Sequence, residues 1–137
     1  MITSKVTDHH ISSAQLAEEV SNLEAGAVVT FSGEVRNHDN NREVSRLTYE
    51  IHPTAHFVIQ NIAEEVASRH EITGLAVNHR FGAILLGETA LAVAVSAVHR
   101  KSAFECCMEL VDRIKKDLPI WKFQEFSDGT SEWVNSS

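Results

Sequence analysis

The sequence predicts an α+β domain, a mainly antiparallel or mixed sheet with helices packed against it. Three observations carry this reading. Segments of strand length, 27–36, 44–51, 75–81 and 90–98, either alternate apolar and polar residues or are apolar throughout. Two longer segments, 54–70 and 102–118, instead repeat apolar residues every three to four positions, the period of a helix with one buried face. The resulting order, β–β–α–β–β–α, is that of an α+β arrangement.

At 137 residues the chain reads as one domain, 1–137, large enough for a single core. No apolar run approaches the ~20 residues that a membrane span needs. The opening MITSKVTDHH lacks the apolar stretch of a secretory signal. The two cysteines, Cys106 and Cys107, are adjacent in a predicted helix, where they point to different faces and are poorly placed to bridge each other. Reduced thiols and a cytoplasmic location are therefore expected. The net charge of −7 disfavours a general nucleic-acid binder, which shows a broad basic face. It leaves room for a small anion held in a local basic pocket, and for a protein partner.

Taken in order, residues 1–11 read as an edge strand or loop. Ser12, with Gln15 three residues on, caps a short helix whose buried face is Leu16, Val20 and Leu23, and Gly26 marks its exit. In 27–36, Ala27, Val29, Phe31, Gly33 and Val35 share one strand face, and Arg36 ends the strand at a polar turn, 37–41. Strand 44–51 is expected to pair antiparallel with it across that turn. Pro53 and Thr54 begin a helix that buries Ala55, Val58, Ile59, Ile62 and Val66. LAVNHRF (75–81) is a further strand, and Gly82 and Gly87 bracket a short extended piece. ALAVAVSAV (90–98) is apolar on both faces and belongs at the centre of the sheet.

Residues 99–122, HRKSAFECCMELVDRIKKDLPIWK, organise the rest. They hold Arg100, Lys101, Arg113, Lys115, Lys116 and Lys122, six of the twelve Lys and Arg of an acidic chain. Ser102 and Glu105 form a capping box, and Phe104, Cys107, Val111, Ile114 and Leu118 form one apolar stripe. Pro119 stops the helix, and Pro-Ile-Trp-Lys reads as a turn. A lysine at a helix C-terminus ordinarily complements the helix dipole and stays solvated. Here His99 and Arg100 at a strand end, Lys115 one position off the stripe and Lys122 beyond the proline are expected to face one anion-binding cavity. Arg113 and Lys116 flank Lys115, and like charges favour its neutral form.

Other motifs are set aside. Among eight histidines, His9-His10 are adjacent, and His52 and His56 straddle a helix start; neither pair suits a metal, and no HExxH or CxxC occurs. No GxGxxG, P-loop or GxSxG is present, so no metal and no cofactor is expected. His79-Arg80, at another strand end, reads as structural.

The run 99–122 resembles the signature of the large, catalytic subunit of molybdopterin synthase. The resemblance continues through AGAVVTFSGEVRNHDN (25–40), VSRLTYEIHP (44–53), NHRFGAILLGE (78–88) and DGTSEWV (128–134), nearly the whole chain in the family's order. It implies an α/β-hammerhead-like domain that forms a homodimer within a heterotetramer. The activity it implies is that of a sulfurtransferase. Sulfur passes from the C-terminal Gly-Gly thiocarboxylate of a small ubiquitin-like subunit to cyclic pyranopterin monophosphate (precursor Z), giving the dithiolene of molybdopterin. It places Arg36 in the pocket, gives Arg36, His99 and Arg100 the substrate phosphate and pterin, and makes Lys115 and Lys122 both substrate-binding and catalytic. Phe31 or the Ile120-Trp121 turn would line the groove for the carrier's tail. The chain departs from the family at Phe123-Gln124, where many members carry a second cation after the lysine, and in its arginine-free end. A module that captures an anion without chemistry is the competing reading, and retention of both Lys115 and Lys122 favours the enzyme.

Overall fold

The computed structural model describes residues 1–134. Its elements are β1 (Ile2–Thr7), α1 (Ser13–Val20), β2 (Ala27–Glu34), β3 (His38–Asp39), β4 (Arg42–Ile51), α2 (Ala55–Ala67), β5 (Gly74–Arg80), β6 (Gly82–Ile84), β7 (Thr89–Ala97), α3 (Arg100–Asp117), β8 (Ile120–Phe126) and β9 (Ser131–Val134). They form a mixed α+β fold with two sheets. The first runs β1-β5-β7-β2, parallel between β1 and β5 and antiparallel elsewhere. The second runs β3-β4-β8-β9, with β6 on the edge of β4, and is antiparallel throughout.

Strand β7 is central, and its two faces differ in size. Val93 and Val95 join the main core with Leu75 and Val77, against Ile59, Ile62, Val66, Cys106 and Leu110 of α2 and α3. Ala92 and Ala94 turn the other way with Ala76, where Leu16 and Val20 of α1 pack. Small residues on that face let a short helix lie close; large ones on the other fill the space under two longer helices. Ser12 caps α1, accepting a hydrogen bond from the Gln15 amide at 3.3 Å.

Several expectations are corrected. Strand β4 does not pair with β2, which pairs with β7. The 37–41 segment instead closes its own hairpin, β3–β4, through Asn40 and Asn41, both left-handed at φ 50° and 64°. Such a two-residue turn needs positive φ at both positions, and asparagine tolerates it. Helix α1 stops at Val20, so Leu23 is exposed, and Gly26 leads into β2. There a Cβ on Gly26 would lie 2.5 Å from the Val98 carbonyl oxygen. Helix α3 starts at Arg100 after His99, which makes no side-chain cap; Ser102 lies inside the first turn, and Glu105 pairs with Lys101 at 3.6 Å. Its buried residues are Ala103, Cys106, Cys107, Leu110 and Ile114; of the expected stripe Cys107, Ile114 and Leu118 are buried and Val111 packs against the core, but Phe104 is 60% exposed and Ala103 takes its place. Pro-Ile-Trp-Lys is the entry to β8 rather than a turn. Asp128 and Gly129, at φ 88°, form the β8–β9 turn. Of the arginine-free end, Asn135, Ser136 and Ser137 lie outside the described residues.

Two outcomes follow from the phase of α3. Leu110→Ala should cost about 2–5 kcal/mol in a urea titration, whereas Phe104→Ala should change stability by about 0.5 kcal/mol or less. Burial pushes the Cys106 thiol up to about 12 and that of Cys107 to about 11. Both stay protonated at neutral pH, so a thiol reagent should label the native chain slowly and the urea-unfolded chain at once.

Candidate active site

The two sheets meet where β2 ends. A register shift between Gly33 and Glu34 breaks the regular ladder with β7. Val35 stays buried, bonded through its amide to the Glu88 carbonyl at 2.9 Å, and the next residue, Arg36, leaves the sheet. Across from it, β4 and β8 pair with Tyr49 opposite Lys122 and Leu47 opposite Gln124. All four side chains are buried, so they share the inward face of the second sheet. The last turn of α3 adds Lys115 from above. Together Glu34, Val35, Arg36, His38, Leu47, Tyr49, Lys115, Lys122 and Gln124 line a cleft of about 540 Å³, its open mouth included. That is the size of a small-ligand site.

Its electrostatics are cationic. Arg36, Lys115 and Lys122 come from three separate parts of the chain. Lys122 is 8% exposed, and burial pulls its ammonium below the ordinary lysine range. Lys115 and Arg36 lower it further, while Asp39 and Glu132 oppose the shift. The carboxylate of Glu34 is occupied by the Thr89 and Ser32 hydroxyls, which donate to it at 2.8 and 3.1 Å. Behind the cleft His79 meets Tyr49 edge to face at 5.2 Å. Burial drives His79 down to about 4, so it is neutral near pH 7. Its Nδ1 lies 2.8 Å from the Arg80 carbonyl, which fixes Nδ1 as the protonated nitrogen. Arg80 is itself buried against Glu88 at 3.2 Å.

The structure brings Arg36, Lys115 and Lys122 together and leaves His99 and Arg100 apart. His99 and Arg100 are exposed at the start of α3, fifteen residues before Lys115, which is about 22 Å along a helix. They also lie at the far end of β7 from Thr89, the partner of Glu34. Arg113, expected to crowd Lys115, faces α2 instead, bonded to Glu65 at 3.2 Å and Asp117 at 2.9 Å. His38, Tyr49 and Gln124 escape a reading of the sequence. The signal for Gln124 is parity: it stands two residues after Lys122, on the same face, once 120–126 is read as a strand.

Comparison with known proteins converges on one family. The family model "MoaE protein" matches residues 6–117. The molybdopterin synthase catalytic subunit of Thermoplasma volcanium is 36% identical over 94% of this chain and 95% of its own length. The crystal structure of molybdopterin synthase from Staphylococcus aureus superposes with a TM-score of 0.86 at 32% identity, covering 94% of each chain. A chain from the complex of subunits 1 and 2 of the molybdopterin-converting factor of Helicobacter pylori shares the fold, with a TM-score of 0.73 at 20% identity over 96% of this chain and 88% of that one. With a cationic cleft at the place its signature residues meet, the chain belongs to the MoaE family, that of the molybdopterin synthase catalytic subunits.

Proposed function

We propose that the Arg36–Lys115–Lys122 cleft is where this sulfurtransferase works. There it moves sulfur from the C-terminal Gly-Gly thiocarboxylate of a small ubiquitin-like carrier subunit to precursor Z. The observation that carries this is the convergence of three cations on one cleft in a chain of net charge −7. Each transfer turns a thiocarboxylate into a carboxylate and puts sulfur on a phosphorylated substrate. Negative charge is therefore present at the site before and after every step, and fixed cations stabilise it throughout. Arg36, with its side chain 66% exposed, suits the phosphate at the mouth. Lys115 and Lys122 lie deeper, beside the reacting end. A lysine held below its ordinary range also gives up a proton more readily, which suits Lys122 to proton transfer as sulfur adds.

His99 and Arg100 are too far from their own cleft to serve it. In the expected homodimer they would act in the cleft of the partner protomer, and two carriers would complete a heterotetramer. A cytoplasmic setting is part of this reading, and the two free thiols support it.

The primary test mixes the purified chain with thiocarboxylated carrier and precursor Z and follows dithiolene formation. Lys115→Ala should lower turnover about a hundredfold or more with carrier binding retained. Lost carrier binding and no turnover in the parent chain would instead support the capture module. If Lys122 acts as a cation, its lowered range puts an alkaline limb on activity below that of an ordinary lysine; Lys122→Arg, charged at all working pH, should remove that limb. Mixing the inactive Lys115→Ala and Arg100→Ala chains should restore activity if Arg100 acts across the dimer, because one cleft of each mixed dimer is then intact. No restoration would place Arg100 with its own subunit or outside the site.

A further inference from the structure

We infer that Asp39 is a positioning residue of the cleft: its carboxylate holds Arg36 and Gln124 in one array beside Lys122. The inference rests on the cleft being the site of sulfur transfer.

Asp39 sits on the two-residue β3, immediately before the Asn40-Asn41 turn that holds β3 against β4. Its Oδ2 accepts a hydrogen bond from Gln124 Nε2 at 2.8 Å, and its Oδ1 lies 3.7 Å from Arg36 Nη2. Gln124 Nε2 donates a second bond to Glu132 Oε1 at 3.1 Å. A primary amide has two N–H groups, and here both meet carboxylates. Turning the amide over would set its carbonyl oxygen against two anions, so Asp39 and Glu132 fix which way this 2% exposed side chain faces. Gln124 and Arg36 both line the cleft, and Asp39 joins them from behind.

A carboxylate beside an anion site repels the anion unless its charge is engaged. Asp39 is held below the ordinary carboxylate range, first by the Gln124 hydrogen bond and then by Lys122, Arg36 and His38. It stays ionised, and its charge acts on Lys122. The charged groups facing Lys122 are Asp39 from β3 and Glu132 from β9, which favour its ammonium, and Lys115 from α3 and Arg36 from the β2–β3 connection, which oppose it. Neutralising Asp39 removes the stronger of the two carboxylate influences that favour the Lys122 ammonium and leaves Glu132, with Glu34 on the cleft wall already engaged by Thr89 and Ser32.

The test is Asp39→Asn, which keeps the shape and an acceptor for Gln124 but removes the charge, with Asp39→Ser as a second neutral variant and Asp39→Glu as the conservative one. The alkaline limb of kcat/KM should move to lower pH by about half a unit or more, a loss of about threefold above the limb, with the melting temperature little changed. Asp39→Glu should return the limb toward its original position. A uniform loss at every pH, with the limb unmoved, would overturn the inference. An NMR titration of 15N-lysine-labelled chain, with the Lys122 signal assigned by Lys122→Arg, reads the same coupling without turnover. The Lys122 midpoint should fall in Asp39→Asn, and an unmoved midpoint overturns the inference as well. A parent chain that makes no dithiolene would refute the reading of the reaction, while the titration still decides the role of Asp39.

Discussion

The register of the β4–β8 ladder is the constraint on which the site depends. Side chains alternate along a strand, so pairing Tyr49 with Lys122 and Leu47 with Gln124 puts all four on the inner face. A slip of one residue would turn Lys122 and Gln124 out to water and bring Trp121 and Phe123 in. Two features hold the register. Ser45, at the shift between Val44 and Arg46, bonds through its hydroxyl to the Glu125 carbonyl at 3.0 Å. At the far end the His52 amide donates to the Pro119 carbonyl at 3.0 Å, so the proline that ends α3 also docks the start of β8. Lys115 and Lys122, seven residues apart on different elements, are thereby brought to one cleft.

The first sheet supplies the fixed frame. With α2 and α3 on one face of β7 and α1 on the other, the inner strands β5 and β7 are buried on both sides, and β2, half-buried on one face only, is held against β7 and delivers its end to the cleft. The charges outside the cleft are sorted in the same spirit. Arg113 and Arg69 are taken by Glu65, Asp117 and Glu109 along the α2–α3 seam. Arg42 stacks on Phe126 at 3.6 Å and lies near Asp128 and Glu132. Such exposed pairs contribute little stability each. Their effect is to tie Arg113, Arg69 and Arg42 to carboxylates away from the cleft, where Arg36, Lys115 and Lys122 meet.

Much of this was legible in the residues. The strands expected over 27–36 and 90–98 form as 27–34 and 89–97, and the cap at Ser12 and the end of α3 before Pro119 also follow from local signals that tertiary contacts did not override. The errors came from choices that periodicity leaves open. Polar residues between two strands suggested a β2–β4 hairpin, but Asn40 and Asn41 accept positive φ and made a tighter one. Helical spacing on α3 fits a stripe that begins at Phe104 or at Ala103, and the helix buries Ala103 and exposes Phe104 where it packs on the sheet. At the site, Arg36, Lys115 and Lys122 carry charges that stand out in sequence. Gln124 shares a face with Lys122 by strand parity, but its pairing with Asp39 spans 85 positions and no local pattern encodes it.

The bulge at Gly33–Glu34 bears on how this chain can vary in length. The extra residue is Ala90 of β7, skipped between Leu91 opposite Gly33 and Thr89 opposite Glu34, so β2 itself keeps its alternation through the bulge and on to Val35 and Arg36. A substitution at 33 or 34 alters packing and leaves that alternation alone. A single-residue insertion or deletion between Gly33 and Arg36 would exchange the sides of Val35 and Arg36, burying a guanidinium and exposing a core valine, with the rest of the sheet unchanged. Over this short span, spacing is under tighter control than composition, and gaps in homologous chains belong in the 40–41 turn rather than here.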